Sequence, residues 1–437
     1  MRCCKKVAYG GFKFSQVNTL KNGKSIRQNI QAFCLLILFI LVSFSIKLYL
    51  IFTEGNNLTL FSDDLNYVKS AVAMVKKGIF VFWEYNEPTV FITPVYPFFL
   101  AAIFKIFGYG FTGFQIARIA QAVLSSITIV LVFYTAELLF NRKTALISSF
   151  LVSFYFPNIV TTGYFLTETL FTTLLILLLY LSIRYSSTLK ISQFIVLGIV
   201  WVIATLCRPT IALYPLIFFP YLFIYRKINI TKAIKLGISM AITFVIIISP
   251  WWIRNYREYG MFIPLAASSG NPMLQGTYIN YEQTPENIVY YKLGKNALET
   301  NQNEVETAKK RMIEGFKNDF WRYLKWYTID KTLLFWRTGF YWREFLGVNQ
   351  YQVILFHYII LLGFIGMFIA LLSEFTKYIL PIGLIAYFNV VHCYYMAIDR
   401  YAFPLLPILS IFTGYFIYKT YISFAYFTNL IKTRQSK

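Results

Sequence analysis

Two adjacent carboxylates, Asp63 and Asp64, stand in the short segment 61–67, directly after the first long apolar run. Neighbouring carboxylates suit general-base activation of an acceptor hydroxyl or amine. A helix beginning here would help to keep one of them ionised, because its N-terminus attracts negative charge. The alternative is that both are ordinary first-turn residues. With Glu168 the pair could also hold Mg²⁺ or Mn²⁺, the weaker hypothesis because no further acidic ligand is clearly supplied.

Four arginines are candidates for binding a phosphate, because the guanidinium fork matches phosphate oxygens. Two of them directly follow a Pro-Trp-Trp sequence at the end of an apolar run, and a third precedes a proline. The alternative is that these side chains extend to ordinary lipid headgroups. The four are Arg208, Arg254, Arg257 and Arg400.

Four further side chains are candidates for substrate contacts: Tyr67, Arg118, Glu168 and His392. Ionisable groups at or near membrane depth are costly, so each is a functional candidate by default. A paired or interfacial structural role is the alternative for any one of them, and for His392 a satisfied buried histidine is the favoured interpretation. The argument for function is that these residues, the four arginines and Asp399 all fall on one side of the expected topology.

Composition defines the class of protein in which these residues stand. The 437 residues are 57% hydrophobic and 14% charged, with a mean hydropathy of +0.56, and several apolar runs reach the length that spans a bilayer. Long runs without alternation indicate an all-α polytopic membrane protein and exclude a membrane β-barrel. The net charge of +22 lies mostly in short loops beside apolar runs, which indicates membrane orientation and excludes a nucleic-acid partner. The five cysteines predict no disulfide framework.

The charge pattern predicts about ten spans. Residues 1–29 are basic and form a cytoplasmic tail. Residues 30–252 form a transmembrane module with the outer loop 53–113, residues 253–350 a large outer loop, 351–422 the last spans and 423–437 a cytoplasmic tail. Within the first loop we expect two juxtamembrane helices, an amphipathic one over 62–78 and a short apolar one over 94–109.

An ordered set of short motifs carries a family resemblance. The set runs from Ser62-Asp63-Asp64-Leu65-Asn66-Tyr67 through Thr93-Pro94-Val95-Tyr96-Pro97, Leu166-Thr167-Glu168-Thr169-Leu170 and Trp252-Ile253-Arg254-Asn255-Tyr256 to Asp399-Arg400-Tyr401. It resembles the GT-C glycosyltransferases, and more specifically the bacterial relatives of dolichyl-phosphate-mannose protein mannosyltransferases, which include the aminoarabinose transferase. The resemblance covers roughly residues 33–422.

The resemblance implies a GT-C helical bundle that takes a sugar from a polyprenyl-phosphate donor and transfers it on the outer face. Asp63 matches the family's catalytic carboxylate, whereas Asp64 stands where the family more often has Glu. Glu168 matches an acidic position in a later outer loop. Thr93 stands where the aminoarabinose transferase has a Lys near the donor phosphate, which argues against lipid A modification and moves phosphate binding toward the arginines. Direct displacement with inversion is the expected mechanism.

Two other classes of function remain open at this stage. A lipid or sugar transporter would carry its charges near the bilayer midplane, whereas the acids here cluster outside the spans. A lipid-linked polysaccharide polymerase or ligase would share the architecture but use a diphosphate-linked donor. The expected location is the plasma membrane of a bacterial cell envelope, with membrane lipids as partners and a lipid, glycan or protein as acceptor.

Overall fold

The computed structural model describes residues 13–82 and 87–435, with side chains from Ile30 onward except Leu430. Residues 1–12 of the predicted basic tail and 436–437 of the C-terminal tail lie outside this part. Where the chain is described it is helical and forms no strand. The helices are α1 Lys13–Glu54, α2 Asp63–Lys77, α3 Val95–Phe107, α4 Phe111–Leu139, α5 Arg142–Phe154, α6 Phe156–Val160, α7 Thr167–Tyr185, α8 Ile191–Cys207, α9 Pro215–Arg226, α10 Ile230–Tyr259, α11 Gly270–Gln275, α12 Ala297–Asn318, α13 Phe320–Lys325, α14 Lys331–Trp336, α15 Gln350–Leu361, α16 Gly363–Tyr394, α17 Asp399–Ala402 and α18 Leu406–Gln435.

Six helical runs in the described chain are long and apolar enough to cross a membrane, or seven if α5 and the segment Phe156–Gly163 form one broken span with a 62° bend. The all-helical membrane fold is therefore confirmed, but the count of about ten spans is not. Some expected spans are short helices, such as the 17-residue α8 and the 12-residue α9. Two others lie in one run, Gln350–Tyr394, whose 45 residues would extend about 68 Å at 1.5 Å per residue, twice a bilayer core.

The spans differ in how much they are buried, which separates the centre of the bundle from its edge. In α7 and in the run containing α18, 72% and 78% of the apolar window is buried, against 22% in α10 and 28% in α1. Side chains of α10 such as Ile234, Ile242 and Ile246 are exposed apolar groups, as expected of a lipid-facing helix. Helices α7 and α18 therefore form the core on which the peripheral spans pack.

Helices α2 and α3 confirm the two short helices predicted in the first loop. Helix α2 ends where Gly78 adopts φ +67° and donates its N–H to Met74, a left-handed cap that glycine adopts without strain. Ser62 occupies the N-cap position, but its side chain makes no capping hydrogen bond. Helix α3 has only 13 residues and packs its buried face against α2 and α4.

The predicted outer loop 253–350 is mostly helical. Its first residues continue α10 as far as Tyr259, where Gly260 with φ +68° ends the helix, so the predicted boundary at residue 253 falls inside a helix. Helix α12 is rich in charged residues and is the longest helix that lies wholly within this loop. Helix α14 returns to the bundle, with Phe335 and Trp336 in the main hydrophobic core. The segment that joins α14 to α15 therefore leaves the bundle close to the N-termini of α7 and α17.

Candidate active site

Four helix ends bring the charged candidates together. Asp63 is the first residue of α2, Glu168 lies in the first turn of α7, Arg208 follows the last residue of α8, and Arg400 is the second residue of α17. Helix N-termini favour carboxylates, which explains the positions of Asp63 and Glu168. The charged centre is thus assembled from segments more than 300 residues apart.

Glu168 is the hub of this cluster. Its carboxylate is fully buried, and its Oε1 accepts hydrogen bonds from Arg208 Nη2 at 2.6 Å and from Arg400 Nε. Arg208 Nε also donates to Thr167 Oγ1 at 2.7 Å. A buried carboxylate is tolerated only when it is paired and hydrogen-bonded. Glu168 therefore fixes the two guanidinium groups, and neither arginine can leave without exposing an uncompensated buried charge.

Asp63 sits at the edge of the cluster. Its Oδ2 accepts from Arg400 Nη1 at 2.9 Å, while 43% of its side chain is exposed. No donor in the described chain reaches its Oδ1. Two arginines and two carboxylates make the cluster neutral with Asp63 ionised. One carboxylate oxygen is thus held and the other faces outward, the arrangement that a general base requires.

Asp64 has the opposite environment. It is buried and accepts three hydrogen bonds, from Thr59 Oγ1 at 2.5 Å and from the backbone N–H groups of Leu60 at 2.8 Å and Ser62 at 2.9 Å. These bonds use both carboxylate oxygens to fold the loop that precedes α2. The geometry therefore separates the adjacent pair into an outward-facing carboxylate and a carboxylate that shapes the loop.

Two threonines that contact the site, Thr167 and Thr59, were not among the candidates identified from the sequence. Thr167 could have been suspected because it precedes Glu168. Thr59 carries no such signal, since nothing in its neighbours indicates a hydroxyl directed at a buried carboxylate.

Tyr67 lies one turn after Asp63 on α2, with its ring edge-on to Phe82 and Tyr96 at centroid distances of 5.3 and 5.0 Å. Burial, and secondarily the Asp63 carboxylate, raises the pKa of the Tyr67 phenol above its ordinary value. Tyr67 therefore keeps its proton and forms part of the wall behind the cluster.

Arg118 and His392 are engaged by the protein itself. Arg118 is buried and donates to Gly163 O at 3.0 Å, to Gln115 Oε1 at 2.9 Å and to Leu58 O at 3.4 Å. His392 is buried, and its Nδ1 donates to Phe388 O at 2.8 Å. Both have the partners of structural residues, so a direct contact with substrate remains an untested prediction for them.

Arg254 belongs to a second region, at the other end of α2. It lines an apolar cavity of about 450 Å³ together with Met74, Phe98, Leu206 and Trp251. Met74 is eleven residues after Asp63, about 16 Å along the helix. The part of the cavity that Met74 lines therefore lies toward the opposite end of α2 from Asp63.

Arg254 differs from the cluster arginines in its partners. Its Nη1 donates to Thr89 O at 2.6 Å and to Asn255 Oδ1 at 3.0 Å, and its guanidinium lies over the rings of Phe80 and Trp251. No described carboxylate forms an ion pair with it. Arg257 is exposed on the next turn. The four arginines predicted for phosphate thus divide into a neutralised pair and a pair whose positive charge is free of ion pairs in the described structure.

The cavity also approaches the cluster. Helices α8 and α10 pack together, with Gly198 against Met240 and Thr243, and Leu206 near the end of α8 lines the same cavity as Trp251 of α10. Leu206 lines the cavity and is two residues before Arg208. A ligand in the cavity would therefore extend from Arg254 along α8 toward the Asp63 cluster.

A shared metal site at Asp63, Asp64 and Glu168 does not fit this geometry. Hydrogen bonds occupy both oxygens of Asp64, and Glu168 is paired with two guanidinium groups. Across residues 13–82 and 87–435 no group of three His, Cys, Asp or Glu side chains is placed to hold a metal ion. Asp63 and Glu168 share Arg400, whereas Asp64 is held by the loop that precedes α2, so the three carboxylates do not converge on one point.

The fold agrees with solved membrane enzymes. One is the oligosaccharyltransferase AglB from Archaeoglobus fulgidus, in complex with an inhibitory peptide and a dolichol-phosphate. Its alignment covers 93% of this chain and 52% of the AglB chain, with a TM-score of 0.56 and 10% sequence identity. Its apo form matches 91% and 52%, with a TM-score of 0.54 and 9% identity. ArnT from Cupriavidus metallidurans, bound to undecaprenyl phosphate, matches 86% and 59%, with a TM-score of 0.49 and 14% identity. The chain spans about half the length of the AglB structures.

The two AglB matches define the class: a multi-pass helical membrane protein with the GT-C glycosyltransferase fold. The family model for dolichyl-phosphate-mannose-protein mannosyltransferase matches residues 88–253. This match confirms the resemblance inferred from the motifs. The matched part of the chain contains Glu168 and Arg208, and also Leu206 and Trp251, which line the cavity. No curated protein matches the sequence.

Proposed function

We propose that this protein is an integral membrane glycosyltransferase that moves a sugar from a polyprenyl-phosphate donor to an acceptor on the extracytoplasmic face, with inversion at the anomeric carbon. The observation that carries the proposal is the half-exposed Asp63 carboxylate, which Arg400 holds by one oxygen. The GT-C fold and the family match supply the reaction class. The basic N-terminal segment supplies the orientation in the plasma membrane.

Asp63 is the general base in this mechanism. Its outward oxygen takes the proton of the acceptor hydroxyl or amine as that atom attacks the anomeric carbon. The bond from that carbon to the phosphate oxygen breaks, and polyprenyl phosphate leaves with the electron pair. Proton transfer to Asp63 leaves Arg208 and Arg400 facing Glu168 alone, so the cluster gains one net positive charge. That charge favours the developing negative charge on the departing phosphate.

The cavity beside Arg254 receives the donor lipid. Its walls are largely apolar and its volume suits several isoprene units. Arg254 supplies a positive charge at the rim, where Glu258 also lines the cavity without forming an ion pair with it, and Arg208 lies beyond Leu206 toward the reacting end. We assign Arg208 and Arg400 to the phosphate during transfer, because that phosphate is bonded directly to the anomeric carbon that the acceptor attacks, and Arg254 to the first encounter with the lipid headgroup. Arg257, exposed one turn away, contributes to the local field.

The test is transfer from labelled polyprenyl-phosphate sugars to endogenous acceptors in membranes, comparing wild type with Asp63→Asn. Loss of a general base lowers rates by about 10²–10⁴-fold, and we expect a loss of that size. Glu137→Gln is the matched control, since Glu137 is a part-exposed carboxylate paired with Arg142 elsewhere in the bundle. It should leave transfer unchanged.

Two outcomes would overturn the proposal. Full transfer by a folded Asp63→Asn protein would remove Asp63 from catalysis. No transfer by folded wild type from any monophosphate donor would favour a diphosphate-linked donor or a transporter. A parallel reaction with chelator, restored by Mg²⁺ or Mn²⁺, tests whether a divalent cation assists the donor phosphate.

A further inference from the structure

An exposed tryptophan borders the catalytic cluster on the segment between α14 and α15. Half of Trp342 is exposed, although its indole Nε1 donates to Asp399 Oδ1 at 3.1 Å and to Asp399 Oδ2 at 3.3 Å. Its ring packs edge-on against Phe340 at 5.0 Å. The polar atom of the indole is therefore used internally, and what remains open is a ring face.

The orientation of that ring is fixed from several sides. Asp399 also accepts from Thr338 Oγ1 at 3.0 Å and from the Arg400 backbone N–H at 2.7 Å. The neighbouring Tyr341 is buried, and its hydroxyl donates to Val348 O at 2.8 Å and accepts from the Phe345 N–H at 2.8 Å. A ring held in this way is ordered before a ligand arrives, which lowers the entropic cost of binding.

Two separate series of hydrogen bonds connect the Trp342 segment with the Asp63 segment. On one side Trp342 bonds to Asp399, and the next residue, Arg400, bonds to Asp63. On the other side Arg343 Nη1 donates to Asn57 O at 3.0 Å and to Thr59 O at 3.2 Å, in the loop that leads into Asp63. Trp342 is therefore connected to Asp63 through Asp399 and Arg400, and the next residue, Arg343, holds the loop that leads into Asp63.

A second exposed ring lies on that same loop. Phe61 is 75% exposed and adopts φ +52°, a conformation that is strained for a bulky residue. Its backbone N–H is held by Thr59 Oγ1 at 3.1 Å. The exposed Phe61 ring contributes little packing that would offset this backbone strain. Backbone strain that is retained at a site indicates function.

We propose that the exposed rings of Phe61 and Trp342, on two segments that Arg343 joins, form an aromatic platform for a carbohydrate acceptor next to Asp63. This inference rests on the proposed function and names its acceptor class. The electron-rich faces of aromatic rings attract the polarised C–H groups of a sugar ring. The outward oxygen of Asp63 then meets a sugar hydroxyl.

The same features disfavour a peptide acceptor. Trp342 offers no free N–H, and Phe61 offers only a ring. One common mode of peptide recognition adds an extended peptide to a strand edge, and the described chain forms no strand beside Asp63. Flat apolar faces beside one carboxylate match the alternating C–H faces and hydroxyl groups of a sugar.

Binding of simple methyl glycosides tests the platform without a donor. The probes are methyl α-mannoside, methyl β-galactoside and methyl β-N-acetylglucosaminide, measured by saturation-transfer NMR on the purified full chain in detergent. A Ser/Thr-rich peptide is measured in parallel. We expect at least one glycoside to bind wild type, with Trp342→Ala weakening it roughly fivefold to tenfold, the range of one aromatic contact, and Trp342→Phe weakening it less.

Two further variants separate the platform from general structural damage. Trp321→Ala is the matched control, because Trp321 is 76% exposed on α13, and it should bind like wild type. Phe61→Gly removes the ring while relieving the strained backbone. It should therefore lose glycoside affinity while its unfolding midpoint stays the same or rises.

Unchanged glycoside affinity in both Trp342→Ala and Phe61→Gly would overturn the platform, as would saturation of the peptide in place of every glycoside. Absence of glycoside binding by wild type would overturn it as well. None of these results touches the loss of transfer in Asp63→Asn, so failure of the platform and failure of the proposed reaction are distinguishable. If transfer is intact, a Trp342→Ala enzyme should show a raised KM for a glycan acceptor at unchanged donor KM.

Discussion

The two ends of α2 handle positive charge in opposite ways. At the N-terminal end, Arg208 and Arg400 are matched by Glu168 and Asp63, and the cluster is neutral. At the C-terminal end, Arg254 is supported by a backbone carbonyl and aromatic faces, with no ion pair to a described carboxylate. Matched arginines hold geometry, whereas an unmatched one attracts an anion. In the proposed mechanism the phosphate leaves beside the N-terminal end, because it is bonded to the reacting carbon, and the C-terminal end attracts the lipid headgroup as it enters.

Substitutions in the charged cluster at the N-terminal end of α2 should lower the free energy of unfolding the most. Glu168→Gln leaves two guanidinium groups without their central counter-charge, and breaking a buried ion pair costs about 3–5 kcal/mol. We expect a loss of that size in the free energy of unfolding, measured by denaturant titration of the purified protein in mixed micelles.

The matched control for Glu168→Gln is Glu137→Gln, which breaks the part-exposed pair with Arg142. Exposed pairs contribute about 0–1 kcal/mol. Equal losses in the two variants would show that the Glu168 cluster is not the buried network that the geometry describes. Adding Arg208→Gln to Glu168→Gln should recover part of the loss, since it removes one of the orphaned charges.

The C-terminal end of α2, where Arg254 lies, should govern the affinity for the donor lipid. Arg254→Ala removes one charge-assisted contact to the phosphate, worth about 1.5–3 kcal/mol, which corresponds to roughly a 10- to 150-fold higher Kd for undecaprenyl phosphate. Arg257→Ala, exposed one turn away, is the control and should change Kd by less than about threefold. Equal effects of the two substitutions would point to a diffuse field in place of a defined contact at the cavity.

A buried lysine extends the comparison to a cation without any carboxylate. Lys331 in α14 is fully buried and donates to Cys393 O and Tyr395 O, each at 2.9 Å. Burial lowers the pKa of its ammonium group to about 7, from an ordinary value of 10.5. Above pH 7 the folded protein releases this proton while the unfolded chain keeps it, so the free energy of unfolding rises with pH toward 10.5.

The rise should amount to about 2 kcal/mol between pH 7.5 and 9.0, at roughly 1.4 kcal/mol per pH unit. The measurement is the free energy of unfolding at the two pH values, for wild type and for Lys331→Met. The variant should lack this component of the slope. Equal slopes in both proteins would mean that the two carbonyls and the Tyr327 ring hold the ammonium group charged throughout.

The smallest effect concerns the adjacent carboxylates. Thr59→Val removes the hydrogen bond to buried Asp64 and the one that Thr59 Oγ1 accepts from the Phe61 N–H, at a combined cost of about 1.5 kcal/mol in the free energy of unfolding. Transfer activity should persist, because Asp63 keeps its own contact with Arg400. Thr59→Ser keeps the hydroxyl and should restore stability. A loss of transfer in Thr59→Val as deep as that in Asp63→Asn would contradict the division of labour between the two carboxylates.

Local helices were predictable from the sequence, whereas the ion pairs between distant residues were not. The helix predicted over 62–78 is found at Asp63–Lys77, because its acidic first turn, amphipathic pattern and terminal glycine are all adjacent in sequence. The count of ten spans was not confirmed, because helix length depends on packing, and α8 and α9 are shorter than a bilayer requires alone. The predicted set of four phosphate-binding arginines splits in two, because Glu168 is 40 residues from Arg208 and 232 from Arg400.

The sequence by itself determined that this is a helical membrane protein with an acidic pair beside its first span, since apolar length and charge placement are properties of contiguous residues. It also determined the GT-C resemblance, carried by short motifs in a fixed order. Only the tertiary structure decided which acid faces outward, which arginines are neutralised and where Trp342 opens its ring. Those properties depend on burial and on contacts between helix ends that are hundreds of residues apart, and side-chain charge is costly or useful according to those contacts alone.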